Sequence, residues 1–455
     1  MEAILSHRAA SAYGYHGPIL PARRRCANVR VSGITEASPR NPSVDSIRRG
    51  RPLPGPAASR VLEGSALDVR VYLLAAAVFL AGVAENICVG ILPAISAGLH
   101  VSVAAAGQLT TIFSAVFALA ALVAAAIVAR IERRTALLAS LATFAAANLF
   151  AAASAGYASL FAARVLMAAS CAMLILVATR LAAELATPAQ RGRAIGIVFM
   201  GISASLVLGV PIGMRIADWA GWRAVFASIA VPALPLAIWL GRRLPRIAVA
   251  APAGAASRAH APPYRAVLGR PTLVAAQLVS VAMIGGHFTL FAYLTPYLQA
   301  VLSPGAAALE ALYVAFGIAG VIGAWAGGTL SDRLGARRAL VACPALFVVA
   351  MAVLPAAAAT PLAFVPAMML WGALSWAISP IAQNHLIHAA PALADASVGI
   401  NVSAMHAGVA LGAAFGGLLV ERGALLLAPW AGCALVALAL GCACVAARPA
   451  HHARR

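Results

Sequence analysis

VFLAGVAENICVGILPAIS, residues 78–96, is an apolar run with one carboxylic acid, Glu85, near its middle. A run of about 20 such residues crosses the hydrocarbon core of a bilayer as a helix. The rest of the chain repeats the pattern. Of its 455 residues 63% are hydrophobic and 10% charged, with a mean hydropathy of +0.92. A soluble domain carries about a quarter charged residues, so this chain is built for a different solvent. The runs are rich in Ala, Leu, Val and Gly without the alternation a transmembrane β-barrel needs. The class is an all-α membrane protein.

Twelve spans can be drawn, at 71–97, 104–129, 136–155, 158–182, 193–217, 222–241, 272–299, 309–330, 339–357, 361–384, 396–420 and 424–446. The formal charge of +20 comes from arginine, since the chain has no lysine. A basic chain can signal nucleic-acid binding, but here the arginines follow alternate connections. They cluster before span 1, at Arg130/Arg133/Arg134, Arg191/Arg193, across 242–270, at Arg333/Arg337/Arg338 and at the C-terminus. The connections 98–103, 156–157, 300–308 and 358–360 carry none. By the positive-inside rule both termini are cytoplasmic, and no nucleic acid is expected. Residues 1–69 read as a disordered basic tail, 242–270 as a cytoplasmic linker and 448–455 as a second short tail. Cys88, Cys171, Cys343, Cys433, Cys442 and Cys444 lie in or at the edge of spans without metal-ligand spacing, so neither metal nor cofactor is expected.

The two halves superpose at one offset. Pro93 and Pro296 are 203 residues apart (296 − 93), and the same shift carries Phe113 to Phe316, Arg130 to Arg333 and Phe161 to Phe364. It also carries Gly196, Gly209 and Gly213 to Gly399, Gly412 and Gly416. This is a six-plus-six duplication, with bundles at 70–241 and 271–447. An even number of spans per half inserts both copies in the same direction, which suits two bundles rocking around a central site.

GGTLSDRLGARR (327–338) resembles the loop signature of the major facilitator superfamily. GVPIGMRIADWAGWRAVF (209–226) is similar to the glycine–proline signature of its drug:proton antiporter branch. AENICVGILPAIS, FAARVLMAAS and INVSAMHAGVALGAAFGG resemble its arabinose-efflux-like and chloramphenicol-resistance-like subgroup. The resemblance spans about 71–446 and implies two pseudo-symmetric six-helix bundles, a monomer, and residence in the inner (cytoplasmic) membrane. It further implies that Asp332, Arg333, Gly335, Arg337 and Arg338 latch the cytoplasmic face; by the pseudo-symmetry Asp332 would dock near Arg191–Arg193, and the plainer reading is topology-setting arginines beside an ordinary turn. The first-half copy, ARIERR (129–134), has Ala129 in place of that acid; Asp395 is expected to replace it by pairing with Arg130 or Arg133.

Small residues recur in span 5 at Gly201, Ser205, Gly209 and Gly213, and in span 11 at Gly408, Gly412 and Gly416. Such stripes allow close helix approach. Pro211 removes a backbone donor and should bend span 5. The stripes read either as a bending seam between bundles or as ordinary packing.

Two charges break the repeat. Glu85 shifted by 203 falls on Phe288, and Arg164 falls on Ala367. An acid at the centre of a membrane helix costs about 2.5–3.5 kcal/mol. Such a group can be neutral in one state and charged in another, which makes Glu85 the natural proton-coupling residue; the alternative is a structural, permanently paired acid. Arg164 matches the fourth-span arginine that the family implicates in coupling, so it would tune the proton rather than carry it, or else snorkel outward. Candidate cleft residues are Gln108, Asn148, Gln277, His287, Tyr293, Tyr297, Trp376, Gln383, Asn384, Asn401 and His406. His287 could also titrate.

The function expected is proton-coupled export of a small neutral or weakly charged organic molecule, drug, sugar or nucleoside-like. Proton-coupled uptake of a nutrient is the second reading. A membrane enzyme or sensor is the third, and it lacks a catalytic cluster or a sizeable soluble domain.

Overall fold

The computed structural model describes residues 67–128, 130–245 and 264–448. The readings of 1–69 as a tail, of 242–270 as a linker, of 448–455 as a tail and of Ala129 therefore fall wholly or largely outside the described residues. The described chain is helical without strands and holds twelve helical segments long and apolar enough to cross a membrane. Their starts carry the duplication. Spans 2 and 8 begin at Val103 and Ala306, spans 3 and 9 at Arg133 and Ala336, and the long helices of spans 5 and 11 at Arg191 and Ala394. Each pair is 203 residues apart (306 − 103, 336 − 133, 394 − 191).

Spans 1 and 7 are each broken near their C-terminal end. Span 1 is Val69–Gly90 followed by Leu92–Leu99, and span 7 is Pro271–Phe291 followed by Leu294–Leu302. Pro93 sits in the first turn of the restarted helix, where a missing N–H costs nothing. Both short helices end on a left-handed residue, His100 (φ 54°) and Ser303 (φ 45°), again 203 apart (303 − 100). The symmetry thus extends to caps that no shared residue type marks.

Within each bundle the small-residue stripes seat one span on another. A methyl on Gly209 or Gly213 would lie 2.3 and 2.2 Å from side-chain atoms of Val83 and Ile87 in span 1. Gly408, Gly412 and Gly416 press on the backbone oxygens of Val281, Gly285 and Thr289 in span 7, at 2.6, 2.2 and 2.4 Å from an added methyl. The stripes are therefore packing seams inside the bundles, not the seam between them. The contact between bundles uses other surfaces: span 2 lies against span 11, and span 8 against span 5. There Gly317 meets the backbone of Leu206 and Val207, within a π-helical turn, Ser205–Gly209. Pro211 lacks the N–H that the α-helical ladder would use, and a π turn beside it accommodates the loss.

Candidate functional site

A cavity of about 1100 Å³ lies between the bundles. Its lining obeys the repeat: Glu85 and Phe288, Leu176 and Ser379, Arg180 and Gln383, and Phe199 and Val402 all face it, each pair 203 residues apart (288 − 85, 379 − 176, 383 − 180, 402 − 199). Arg180, Asp395 and Tyr264 line it at the helix ends that bear the arginine-rich connections, so it opens on that side. Glu85 is 16 residues into a helix that starts on the same side (85 − 69). At 1.5 Å per residue this places the acid about 24 Å deep.

The opposite side is shut. Thr295 Oγ1 lies 3.0 Å from the carbonyl oxygen of Val89 and 2.8 Å from the hydroxyl of Tyr313, which is 3.3 Å from the same carbonyl. These contacts join spans 7 and 8 to the break in span 1. The buried Tyr293 hydroxyl donates to the Ala413 carbonyl at 3.2 Å and lies over Gly107 of span 2, where a methyl would come within 2.0 Å of it. Arg215 and Glu310 approach to 3.7 Å across the same face.

Arg164 neither snorkels nor meets the Glu85 carboxylate. It is fully buried, and its guanidinium donates to the backbone carbonyls of Ala84, Glu85 (3.3 Å) and Leu109 (3.3 Å) while lying 4.1 Å from the centre of the Phe113 ring. A planar fork of donors suits this set of acceptors on two helices, and a ring face attracts the remaining charge. The arginine thereby fixes the backbone of span 1 at the acid.

The carboxylate itself turns the other way. Glu85 Oε1 is 3.3 Å from His406 Nε2 on span 11, so the contact crosses from one bundle to the other. The His406 ring stacks on Phe117 of span 2, with centroids 3.8 Å apart and planes within 7°. Its Nδ1 is 2.9 Å from the Val402 carbonyl oxygen.

Of the other cleft candidates, His287, Trp376 and Gln383 face the cavity. His287 is enclosed by Phe288, Phe291, Phe316, Phe347 and Trp371, and neither of its nitrogens has a hydrogen-bond partner among the described residues. The remaining candidates sit elsewhere in this conformation. Asn148 donates to the Phe144 carbonyl of its own helix, and Asn401 donates to Gln277 and Ser280, tying span 11 to span 7. Asn384 donates to Ser331, while Gln108, Tyr293 and Tyr297 belong to the closed side or the packed interior. Polar residue type marks a candidate; only the helix phase tells whether it faces the cavity or a neighbouring helix.

The expected latch is not engaged. Asp332 is exposed and forms no ion pair among the described residues, as do Arg333, Arg337 and Arg338, although Gly335 makes the expected turn at φ 83°. Arg133 pairs with Glu184 of span 4, not with Asp395, and Arg130 is exposed with no ion pair among the described residues. Asp395 instead lines the cavity mouth with Arg180. The physical reason is the open mouth, which parts the bundles where these loops would meet. Arg180 escaped the reading of the sequence, yet its repeat partner Gln383 was named, and the offset alone leads from one to the other.

Among the described residues, twelve helices long and apolar enough to cross a membrane, in two like bundles around a cavity open to one side, have the architecture of a membrane transporter. A family model, the Major Facilitator Superfamily, matches residues 74–413, and the chain belongs to that superfamily. The chain is 32% identical over 380 residues to a chloramphenicol resistance protein of Streptomyces lividans, covering 82% of this chain and 95% of that one. It is 30% identical over 384 residues to the chloramphenicol efflux pump Rv0191 of Mycobacterium tuberculosis, covering 82% and 91%. Among solved structures, a bacterial homologue of the human lysosomal transporter Spinster, inward-facing and unoccupied, aligns with a TM-score of 0.71 at 17% identity over 84% of this chain and 96% of that one.

Proposed function

We propose that this transporter exports a neutral or weakly charged organic molecule in exchange for protons entering the cell. The observation that carries the reading is Glu85, an acid about 24 Å along span 1 that lines a largely apolar cavity at the boundary between bundles. An acid there changes proton affinity as the bundles rock, because its solvation and neighbours change. Phe117, Phe199, Phe288 and Trp376 offer ring surface to a flat or aromatic solute. Fixed charge at the mouth is balanced between Arg180 and Asp395. The positive-inside rule argues that the open side is cytoplasmic, so the cavity is poised to load from within. The names of two relatives make chloramphenicol the first compound to try.

The test is uptake into everted membrane vesicles of cells expressing the full chain, with an imposed pH gradient and a panel of chloramphenicol, nucleosides and sugars. Accumulation that a protonophore abolishes is the expected result. Equilibration without accumulation for every compound, or accumulation with the gradient reversed, contradicts proton-driven export.

A further inference from the structure

The Glu85–His406 contact counts its own protons. His406 Nδ1 is 2.9 Å from a carbonyl oxygen, Val402 in the preceding turn, and a carbonyl oxygen only accepts. Nδ1 therefore carries a hydrogen. In a neutral ring Nε2 is then a bare lone pair, and it faces Glu85 Oε1 at 3.3 Å. An ionised carboxylate beside a neutral imidazole in that tautomer sets two acceptors against each other. One added proton makes the contact attractive, whether it resides on the oxygen or on the nitrogen. The pair is neutral with this proton and carries one negative charge without it.

We propose that Glu85 and His406 form a single proton-binding site shared between the two bundles, in which His406 is the second half of the coupling site and one proton is the clasp. The proposal deepens the export reading and rests on it for its role in transport. Each partner is held for the purpose. Arg164 grips the carbonyls of Ala84 and Glu85, and the Phe117 stack with the Val402 bond fixes the imidazole plane and tautomer. Both groups line the cavity, so the proton can leave through its mouth. On leaving, the proton turns an attraction between bundles into a repulsion and uncovers a carboxylate and an imidazole lone pair on the cavity wall. A solute that bonds to either group competes with the proton.

Other titratable or charged groups around the pair are few. Span 4 presents Arg164, engaged with carbonyls, and Cys171, whose Sγ is 4.0 Å from the Ala81 carbonyl; span 1 itself carries the buried Cys88. Span 7 contributes His287 to the same cavity, and Arg180, Tyr264 and Asp395 stand toward its mouth. None of these is within ion-pair distance of Glu85 among the described residues.

The experiment is a pH titration of the full chain in lipid nanodiscs, with ¹⁵N-labelled histidine and ¹³C-labelled glutamate followed by NMR. His406 is assigned through His406→Phe, which keeps a ring on Phe117, and Glu85 through Glu85→Gln. The expected result is a hydrogen on His406 Nδ1 throughout, with the His406 Nε2 and Glu85 carboxyl signals moving at one shared midpoint. That midpoint should change in the surviving partner when either residue is replaced. Independent midpoints, or a His406 hydrogen on Nε2 with Nδ1 bare, would overturn the proposal. This readout needs no transported solute, so it succeeds or fails separately from export. In proteoliposomes showing gradient-driven chloramphenicol flux, His406→Phe should lower the driven component about tenfold. Unchanged driven flux would also overturn it.

Discussion

The two halves of this molecule share a skeleton and differ in how they use its centre. In the first half Arg164 lies against Phe113, gripped by carbonyls of spans 1 and 2. In the second half the matching ring, Phe316, belongs to an aromatic cluster with Trp371 and His287. Shifted by 203, Arg164 becomes Ala367, while Ala84 becomes His287 and Ala168 becomes Trp371. A cation held by backbone oxygens has been exchanged for rings held by rings. Duplication preserved helix starts, breaks and caps; the chemistry diverged in a few side chains. One half holds the acid and its arginine, and the other supplies its histidine partner.

The largest effect should come from attacking that difference. Arg164→Ala removes the grip on span 1 and leaves a hole in a fully buried site, with a cost of about 2–5 kcal/mol. Lysine should not rescue it, because a single ammonium cannot serve the carbonyls and the ring together. Thermal unfolding in detergent checks both; an Arg164→Lys protein as stable as wild type would break the comparison. The equivalent change in the other half, Ala367→Arg, should not create a second grip.

Next come the packing stripes. An alanine methyl at Gly412 meets the backbone oxygen of Gly285 at 2.2 Å, whereas one at Gly209 meets a methyl of Val83 at 2.3 Å. Backbone cannot step aside as a side chain can. Gly412→Ala should therefore cost about 1–3 kcal/mol and Gly209→Ala less. Equal unfolding temperatures would show that the two seams yield alike.

The smallest effect lies at the start of span 1, where Asp68 caps the helix by accepting from the Arg70 N–H at 2.9 Å. Its hydrogen bonds to the Arg70 side chain, aided by that backbone bond, hold the carboxyl below the usual carboxylate range. A lowered folded pKa stabilises above the ordinary value and loses its contribution as pH falls through the folded one. Asp68→Ala should cost about 1 kcal/mol at neutral pH. The difference from wild type should vanish in acid, which pH-dependent unfolding would reveal.

Much of the architecture was legible because bilayer thickness and a duplicated pattern constrain it strongly. The offset read from Pro93 and Pro296 reappears in helix starts and in the cavity lining. Glu85 stood out because an acid deep in hydrocarbon is costly enough to demand a reason. Its partner could not be chosen from sequence. His406, Asn401 and Asn148 are all polar residues in apolar helices, and only packing shows that the two asparagines bond within their own bundles. The latch pairs are not formed here for a different reason: loop motifs name charges, but which of them meet depends on the conformation.

The most direct test of the account compares wild type with Glu85→Gln in proteoliposomes, measuring accumulation under a pH gradient, and exchange at equal pH, of a compound that the wild type accumulates. Glutamine keeps the shape and cannot carry the proton. The account predicts that exchange persists and accumulation is lost. Accumulation by Glu85→Gln at the wild-type level would contradict it, and the coupling proton would then have to reside elsewhere in the chain.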